Sequence, residues 1–408
     1  MAITINSVPA DFSSLHDDAW FVVSSTKSTT KNFKYVFDTY VSGDLVSRVK
    51  VIPTASAQNS YGIFNSAPIV RNYMGNYFKP VEGTVLQHSS DEIKVQYRIE
   101  YGEEVSGVLT TNLASGTYNG YNFYNPLFFD GILLLGGGEG DLLLSNQYDN
   151  LLISNYADDW LTERKQGNIE IIFRKRCFVS YLAHDVSGGV IAVTVIDESG
   201  NAVGSEVSGA NISFRGAFNL FEFGQAGIND YLRTELITEN IYGYKVRLIS
   251  GTIQSNYLTF IHVCYDRSNP VNVHFLNRLG GWDTFGFNLV NKRRTEFNRR
   301  SFRRMQYQLD GDNMTNNDKY NRYNEGTINF STEHRDSYRL VSDYVREQDY
   351  DWLGQLVASP LVYLEVRGAY FPVIVTDNNY QYKTEKSDQL FNMELDIEIS
   401  KYVNSQYR

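Results

Sequence analysis

Cysteine is almost absent from this 408-residue chain: Cys177 and Cys264 each lie inside an apolar stretch, where a small buried thiol is the ordinary role and no disulfide framework is implied. No apolar run approaches the roughly 18 residues of a membrane span. The opening MAITINSVPADF has neither a basic leader nor an apolar core, so the expectation is a protein made in the cytoplasm without an export signal or a membrane segment. An excess of positive charge is missing as well. With a net charge of −10 and a pI near 5.2, the chain lacks the basic surface a general nucleic-acid binder uses to displace counterions from phosphate.

The residue patterns of catalysis and metal binding are equally scarce. The six histidines (His16, His88, His184, His262, His274, His334) are scattered, with no HExxH pair and no Cys/His zinc spacing. His262 and His274 sit in strand-like apolar contexts that suit a structural role. The glycine-rich stretch 136–140 lacks the Lys and Ser/Thr of a phosphate-binding loop, and Glu139 and Asp141 would repel phosphate. The loop 310–318 carries oxygen ligands, but its glycine falls second and no glutamate closes a calcium loop. No GxSxG elbow is present. Carboxylate pairs such as Asp158–Asp159 and Glu103–Glu104 could serve glycoside hydrolysis only if folding placed a correct pair across a cleft. The expectation is therefore a protein that is not an enzyme, with no catalytic residues, no cofactor and no metal.

What the chain has in abundance is aromatic residues: 30 Tyr and 24 Phe in a composition 14% aromatic. Large rings favour pleated, half-buried strands and also interfaces. Through the first 120 residues, 19–25, 33–41, 46–52 and 93–101 read as strands separated by polar turns. In the last of these Ile93, Val95, Tyr97 and Ile99 alternate with polar residues, which gives one apolar face and one wet face. Residues 166–270 return to the same rhythm, with a strand, a reversal at Glu198–Asn201 and a further strand. The third region adds strands at SPLVYLEVR, YFPVIVTD and LFNMELDIEIS, and the spacing of Leu340, Tyr344, Trp352, Leu353 and Leu356 predicts a helix over 342–358.

The predicted architecture is mainly β, with two or three β-sandwich domains of immunoglobulin-like size and a minor helical element. Its predicted boundaries are 1–120 for an N-terminal sandwich, 121–165 for a leucine- and glycine-rich hairpin or arm, 166–270 for a second sandwich, and 271–408 for a β-rich domain with a short helix.

Two segments stand out as interaction elements. In 121–165 two triple-leucine runs flank GGGEG, and Leu133, Leu134, Leu142 and Leu143 need a partner that a small element cannot supply alone. The second is basic: Lys292, Arg293, Arg294, Arg299, Arg300, Arg303 and Arg304, relieved only by Glu296 and interleaved with Phe297 and Phe302. Contact with DNA or RNA through charge and stacking is one reading. The preferred one is a strand-borne surface that meets protein carboxylates, for which the planar guanidinium fork is well shaped.

The stretches FLNRLGGWDTFGF at 275–287, YDWLGQLVASPLVYL at 350–364, FPVIVTDNNY at 371–380 and FNMELDIEIS at 391–400, with ADFSSLHDDAWFVVSS and YGIFNSAPIVRNYM near the start, resemble virion proteins of crAss-like and related tailed bacteriophages. The resemblance touches both ends and is weakest over 121–260. It implies a structural subunit of the tail or neck, as a ring, hub or tail-tube component. Its partners would be copies of itself in a cyclic oligomer and neighbouring tail or neck proteins. Its location would be the virion, with phage DNA passing without specific binding. The alternative is a carbohydrate- or receptor-binding module of a tail fibre or baseplate, since clustered Tyr, Trp and Asn also suit sugar faces. A glycosidase-like tail enzyme is a third class.

Overall fold

The computed structural model describes all residues except 1–2, 10–12, 17, 56–59, 76–77, 79, 81–83, 90–93, 111–114, 124–155, 215, 264–269, 290, 304–325, 378–389, 402 and 405–408. Leu133, Leu134, Leu142, Leu143, Arg304, Cys264 and the loops 136–140 and 310–318 therefore lie outside the described residues. The chain divides into two compact units, Met1–Cys264 with His274–Phe285, and Tyr265–Val273 with Gly286–Arg408.

The first unit holds two sandwiches. In chain order its opening strands are β1 (Ile3–Ser7), β2 (Ser13–Ser14), β3 (Trp20–Ser25), β4 (Phe33–Val41), β5 (Asp44–Val51), β6 (Thr54–Ala55), β7 (Ser60–Asn65), β8 (Leu86–Ser89), β9 (Lys94–Val105), β10 (Val108–Thr110) and β11 (Ser115–Tyr121). One sheet runs β1–β3–β7–β6 and the other β2–β11–β9–β4–β5. The period-2 pattern of the sequence is what closes them: Phe21, Val23 and Phe64 from the first face Tyr35, Phe37, Tyr97, Ile99, Tyr101 and Tyr118 from the second in one apolar cluster. The rings interlock, Phe21 edge-on to Tyr118 at 4.9 Å and Phe37 stacked on Phe64 at 4.9 Å. A short helix, α1 (Ala67–Val70), with Pro68 in its first turn, follows β7.

The second sandwich is built from β12 (Asp159–Trp160), β13 (Asn168–Ile172), β14 (Phe178–Leu182), β15 (Gly188–Ile196), β16 (Val207–Ser208), β17 (Ile212–Ser213), β18 (Phe218–Glu222), β19 (Gly243–Ser250), β20 (Ile253–Gln254) and β21 (Leu258–Val263), with α2 (Gln225–Leu232) between β18 and β19. Its two sheets run β12–β14–β18–β8 and β13–β21–β19–β15–β16. The predicted reversal after β15 is made by Asp197, whose Oδ1 accepts from the N–H groups of Ser199 and Asn201, while Gly200 takes the left-handed conformation the turn needs. Trp160 lies at the centre, fully buried and edge-on to Tyr181, Phe221 and Phe223. Strand β8 comes from residues 86–89, inside the sequence of the first sandwich, yet pairs with β18 of the second. The two sandwiches are therefore interlaced along the chain.

β22 (Val271–Leu276) and β23 (Trp282–Phe287) follow, and their 274–285 portion belongs to the first unit. The second unit is one antiparallel sheet with a helix. Its strands are β24 (Lys292–Arg303), β25 (Thr327–Arg346), β26 (Val362–Val366), β27 (Ala369–Val375), β28 (Leu390–Ile399) and β29 (Val403–Asn404), and its helix is α3 (Glu347–Ala358). Five strands run in the order β26–β27–β28–β25–β24, with β29 also paired to β25. Helix α3 packs against β25 and β28 through its buried Trp352, Leu353 and Leu356, and Leu340, Met393, Leu395 and Ile397 are buried on those strands.

The sequence pattern predicts this helix over 342–358, but it begins at residue 347. Residues 342–346 instead complete β25, because Tyr344, Val345 and Arg346 pair with Asn392, Phe391 and Leu390 of β28. The buried Ser342 sits at the register shift, where its Oγ accepts from the N–H of Met393 at 2.8 Å and donates to the carbonyl of Asp343 at 2.7 Å. Among the described residues no helix is long and apolar enough to cross a membrane.

Candidate interaction surface

The basic segment forms β24, the last strand of its sheet. It pairs along its whole length with the first part of β25, from Lys292 opposite Arg339 to Arg303 opposite Thr327. Beyond Ser337 towards the N-terminus of β25, the strand β28 no longer follows. The two strands thus continue past the helix-covered part of the sheet, and among the described residues only β29 joins the far side of β25 there, at Glu333 and His334. The burial pattern records the consequence: every residue of β24 except the half-buried Thr295 is exposed, on both faces.

Alternation sorts the side chains. One face carries Arg293, Thr295, Phe297 and Arg299 opposite Tyr338, Asp336, His334 and Thr332; the other carries Lys292, Arg294, Glu296, Asn298 and Arg300 opposite Arg339, Ser337, Arg335, Glu333 and Ser331. On the first face Arg293 binds Asp336 at 2.5 Å and Thr295 donates to the same carboxylate at 2.6 Å. Partial burial raises the pKa of Asp336, but these two hydrogen bonds outweigh it and hold the carboxyl below its ordinary range. Phe297 lies 5.9 Å from the His334 ring, and the Arg299 guanidinium sits 5.4 Å over Phe297. A bulge at Arg300–Ser301 brings Phe302 within 6.1 Å of Phe330. Phe297, Phe302 and Phe330 are 52%, 49% and 47% exposed, unusually wet for phenylalanine.

The cations of β25 and β24 have different fates. Arg339 grips Asp396 of β28 through two bonds of 2.8 and 2.7 Å, and Arg335 pairs with Glu398 at 2.5 Å. The hydrogen bond from Arg339 holds Asp396 below the ordinary carboxylate range. Among the described residues, Arg294, Arg299, Arg300 and Arg303 make no such pair. Asp396 and Glu398 of β28 are thus paired by β25, one strand in, while the outer strand keeps uncompensated positive charge beside exposed rings. Arginine and aromatic residues are the side chains enriched at protein interfaces. Sequence reasoning found β24 but missed Phe330, His334, Arg335 and Arg339 on its partner, although the period-2 pattern of FSTEHRDSYR was available as a signal.

The other candidates resolve into framework. Glu103 and Glu104, adjacent on β9, point to opposite faces: Glu103 accepts from Ser25 at 2.5 Å and pairs with Lys27 at 3.0 Å, while Glu104 pairs with Lys50. They do not converge on one bond. Asp158 accepts from the backbone N–H groups of His184 and Asp185, and Asp159 binds Asn256 through its backbone and side chain. His274 is fully buried, its Nδ1 2.9 Å from the Thr284 hydroxyl and its ring against Phe78 and Phe178. His262 lies between Phe173 and Tyr244, and burial lowers its pKa, partly offset by the Ile241 carbonyl. Cys177 is buried and unpaired with another cysteine, and desolvation pushes its thiol up to about 12. Among the described residues no group of three or more His, Cys, Asp or Glu is placed to hold a metal ion.

One buried polar cluster escaped sequence reasoning. Asn277 donates to the Leu161 carbonyl at 2.7 Å and to Asp283 at 3.0 Å, and its Oδ1 accepts from the N–H groups of Leu279 and Gly281 at 3.0 and 2.9 Å. With Thr284 accepting from the N–H of Phe178 and Ser180 accepting from the N–H of Trp282, it clasps the 274–285 turn onto the second sandwich.

No family model matches the chain, and no curated protein matches it. Among solved structures, the chain is similar to the chicken CNTN1 FN1–FN3 domains (11% identity, 64% of this chain and 67% of that one, TM-score 0.17). It is also similar to the CsuC–CsuE chaperone–tip adhesion subunit complex of Acinetobacter baumannii (10% identity, 65% and 100% covered, TM-score 0.17) and to squid arrestin (7% identity, 65% and 95% covered, TM-score 0.18). At such scores the likenesses carry no argument about function, and the class of this chain, a mainly β protein of sandwich domains, rests on its own sheets.

Proposed function

We propose that this chain is a non-enzymatic structural subunit of a tailed-bacteriophage tail or neck, acting as a ring, hub or tube component through assembly with copies of itself and neighbouring virion proteins. The observation that carries the reading is β24: a twelve-residue end strand, exposed on both faces, whose unpaired arginines alternate with exposed phenylalanines. A long open edge of this kind is a liability for a solitary protein and a docking element for an assembling one. The stretches at both ends of the sequence that resemble virion proteins of crAss-like phages support the same reading. Its chemistry is geometric: rigid sandwiches set spacing, and an exposed edge makes the contact.

Light scattering and electron microscopy of the purified full chain test it. The expected result is a closed oligomer with rotational symmetry, whose contacts are heterologous because one patch of each copy meets a different patch of the next. A protein that stays monomeric at high concentration and binds a glycan array would replace this reading with the tail-fibre or baseplate alternative. Tight, steeply salt-dependent DNA binding by the isolated subunit would replace the assignment of β24 to protein carboxylates.

A further inference from the structure

The open edge of β24 has a partner in the same sequence: we propose that it receives the 124–155 segment of a second copy of this chain. The inference rests on the reading of the protein as an assembling subunit and names the contact that would link its copies. Two β24 strands cannot serve each other, because each carries six basic side chains against the single carboxylate of Glu296, and like charges across paired strands repel. The occupant must be acidic, and it must bring apolar side chains to cover Phe297, Phe302 and Phe330.

Between Arg98 and Arg164 the chain has no Lys, Arg or His at all. Most carboxylates near the two ends of that interval are already engaged: Glu100 with Arg98, Glu103 with Lys27, Glu104 with Lys50, and Glu163 with Arg278. Asp158 and Asp159 are tied to backbone and to Asn256. The remaining carboxylates, Asp130, Glu139, Asp141 and Asp149, fall within 124–155, among Leu133, Leu134, Leu142 and Leu143. The stretch 185–214 also lacks basic residues, but its principal strand, β15, is already paired on both edges inside the second sandwich. The 124–155 segment is thus the part of the chain whose charge sign and apolar content complement β24. Because each copy would give the segment to one neighbour and the edge to another, the contact is heterologous, which is the kind that closes rings.

The test uses the full chain in three charge-reversed forms: Arg294→Glu with Arg300→Glu and Arg303→Glu; Asp130→Lys with Glu139→Lys and Asp141→Lys; and all six together. The β24 positions are exposed, and the thermal midpoint of each form checks that the fold is kept. Mass photometry reads the assembly. Either triple reversal alone is expected to weaken association about 100-fold or more, and the six-fold form to regain most of it. Carbodiimide cross-linking of an equal mixture of light- and heavy-isotope wild-type chains needs no variant. It should join Lys292 to a 124–155 carboxylate in mixed-isotope pairs. Assembly indifferent to the reversals, or a six-fold form no better than either triple, overturns this contact and leaves the assembly reading standing. Cross-links of single-isotope type only would place the segment on its own chain and overturn it too. A wild-type chain that is monomeric throughout removes the assembly reading itself, and this contact with it.

Discussion

Replacing Asn277 is the sharpest test of how the first unit is held together. The side chain is 4% exposed and makes four hydrogen bonds of 2.7 to 3.0 Å, two as donor and two as acceptor. Asn277→Ala removes all four and leaves the Leu161 carbonyl and two backbone N–H groups in a dry setting. At about 1 kcal/mol net for each bond, the loss is about 4 kcal/mol. Asn277→Asp keeps both acceptances but forfeits both donations and sets a carboxylate about 3.0 Å from Asp283, where the amide nitrogen stood. At a protein-like dielectric that repulsion costs several kcal/mol. Asn277→Asp is therefore expected to be less stable than Asn277→Ala at pH 7 and to recover as acid neutralises one of the pair. Urea unfolding followed by tryptophan emission reads this, because the buried Trp160 and Trp282 flank the clasp. An Asn277→Ala loss below about 1 kcal/mol, or an Asp variant as stable as the Ala variant at neutral pH, would refute the reasoning.

Cys177 should resist iodoacetamide in the native protein and react only on unfolding, with Cys264→Ser removing the second thiol from the assay. Labelling at the native rate of a free thiol would show that the core opens. Burial lowers the pKa of His262, so the stability it supports is present above its unfolded value near 6.5 and is lost as pH falls towards the folded value. The thermal midpoint should drop over that range in the wild type and change less in His262→Gln. Asp336 is held low by Thr295 and Arg293, and Asp396 by Arg339, so their share is present above about pH 4 and disappears below it. Arg339→Gln should flatten that acid limb only slightly, since the pair is largely exposed and screened by solvent. Gly280→Ala should destabilise by about 1 to 3 kcal/mol, because φ is +80° and a Cβ would meet the Asn122 carbonyl. A neutral effect in the same urea assay would count against the packing described.

Much of the fold was legible because period-2 alternation is a local signal. Strand β4 coincides with the expected 33–41, and β26 to β28 fall on SPLVYLEVR, YFPVIVTD and LFNMELDIEIS. The helix boundary was not legible. Leu340, Tyr344 and Trp352 fit helical spacing, but the register with β28 claims the chain up to Arg346, and pairing partners 44 to 48 residues away leave no trace in a local window. The same limit hid β8 in the second sandwich and hid the clasp, since Asn277 reads as an ordinary turn residue until Leu161 is set beside it. For the candidate surface, the arginine run was plain in the sequence. What needed the structure was that Arg335 and Arg339 pair with Glu398 and Asp396 of β28, while the excess charge stays on the outermost strand.

The placement of β8 sets how this protein can be cut. A fragment ending near residue 120 would carry away a strand that borders β18, exposing a raw hydrogen-bonding margin on whatever remained. One starting near 166 would lose Trp160 as well. Under tension from its ends, the front half should yield in a single rupture rather than as two successive releases.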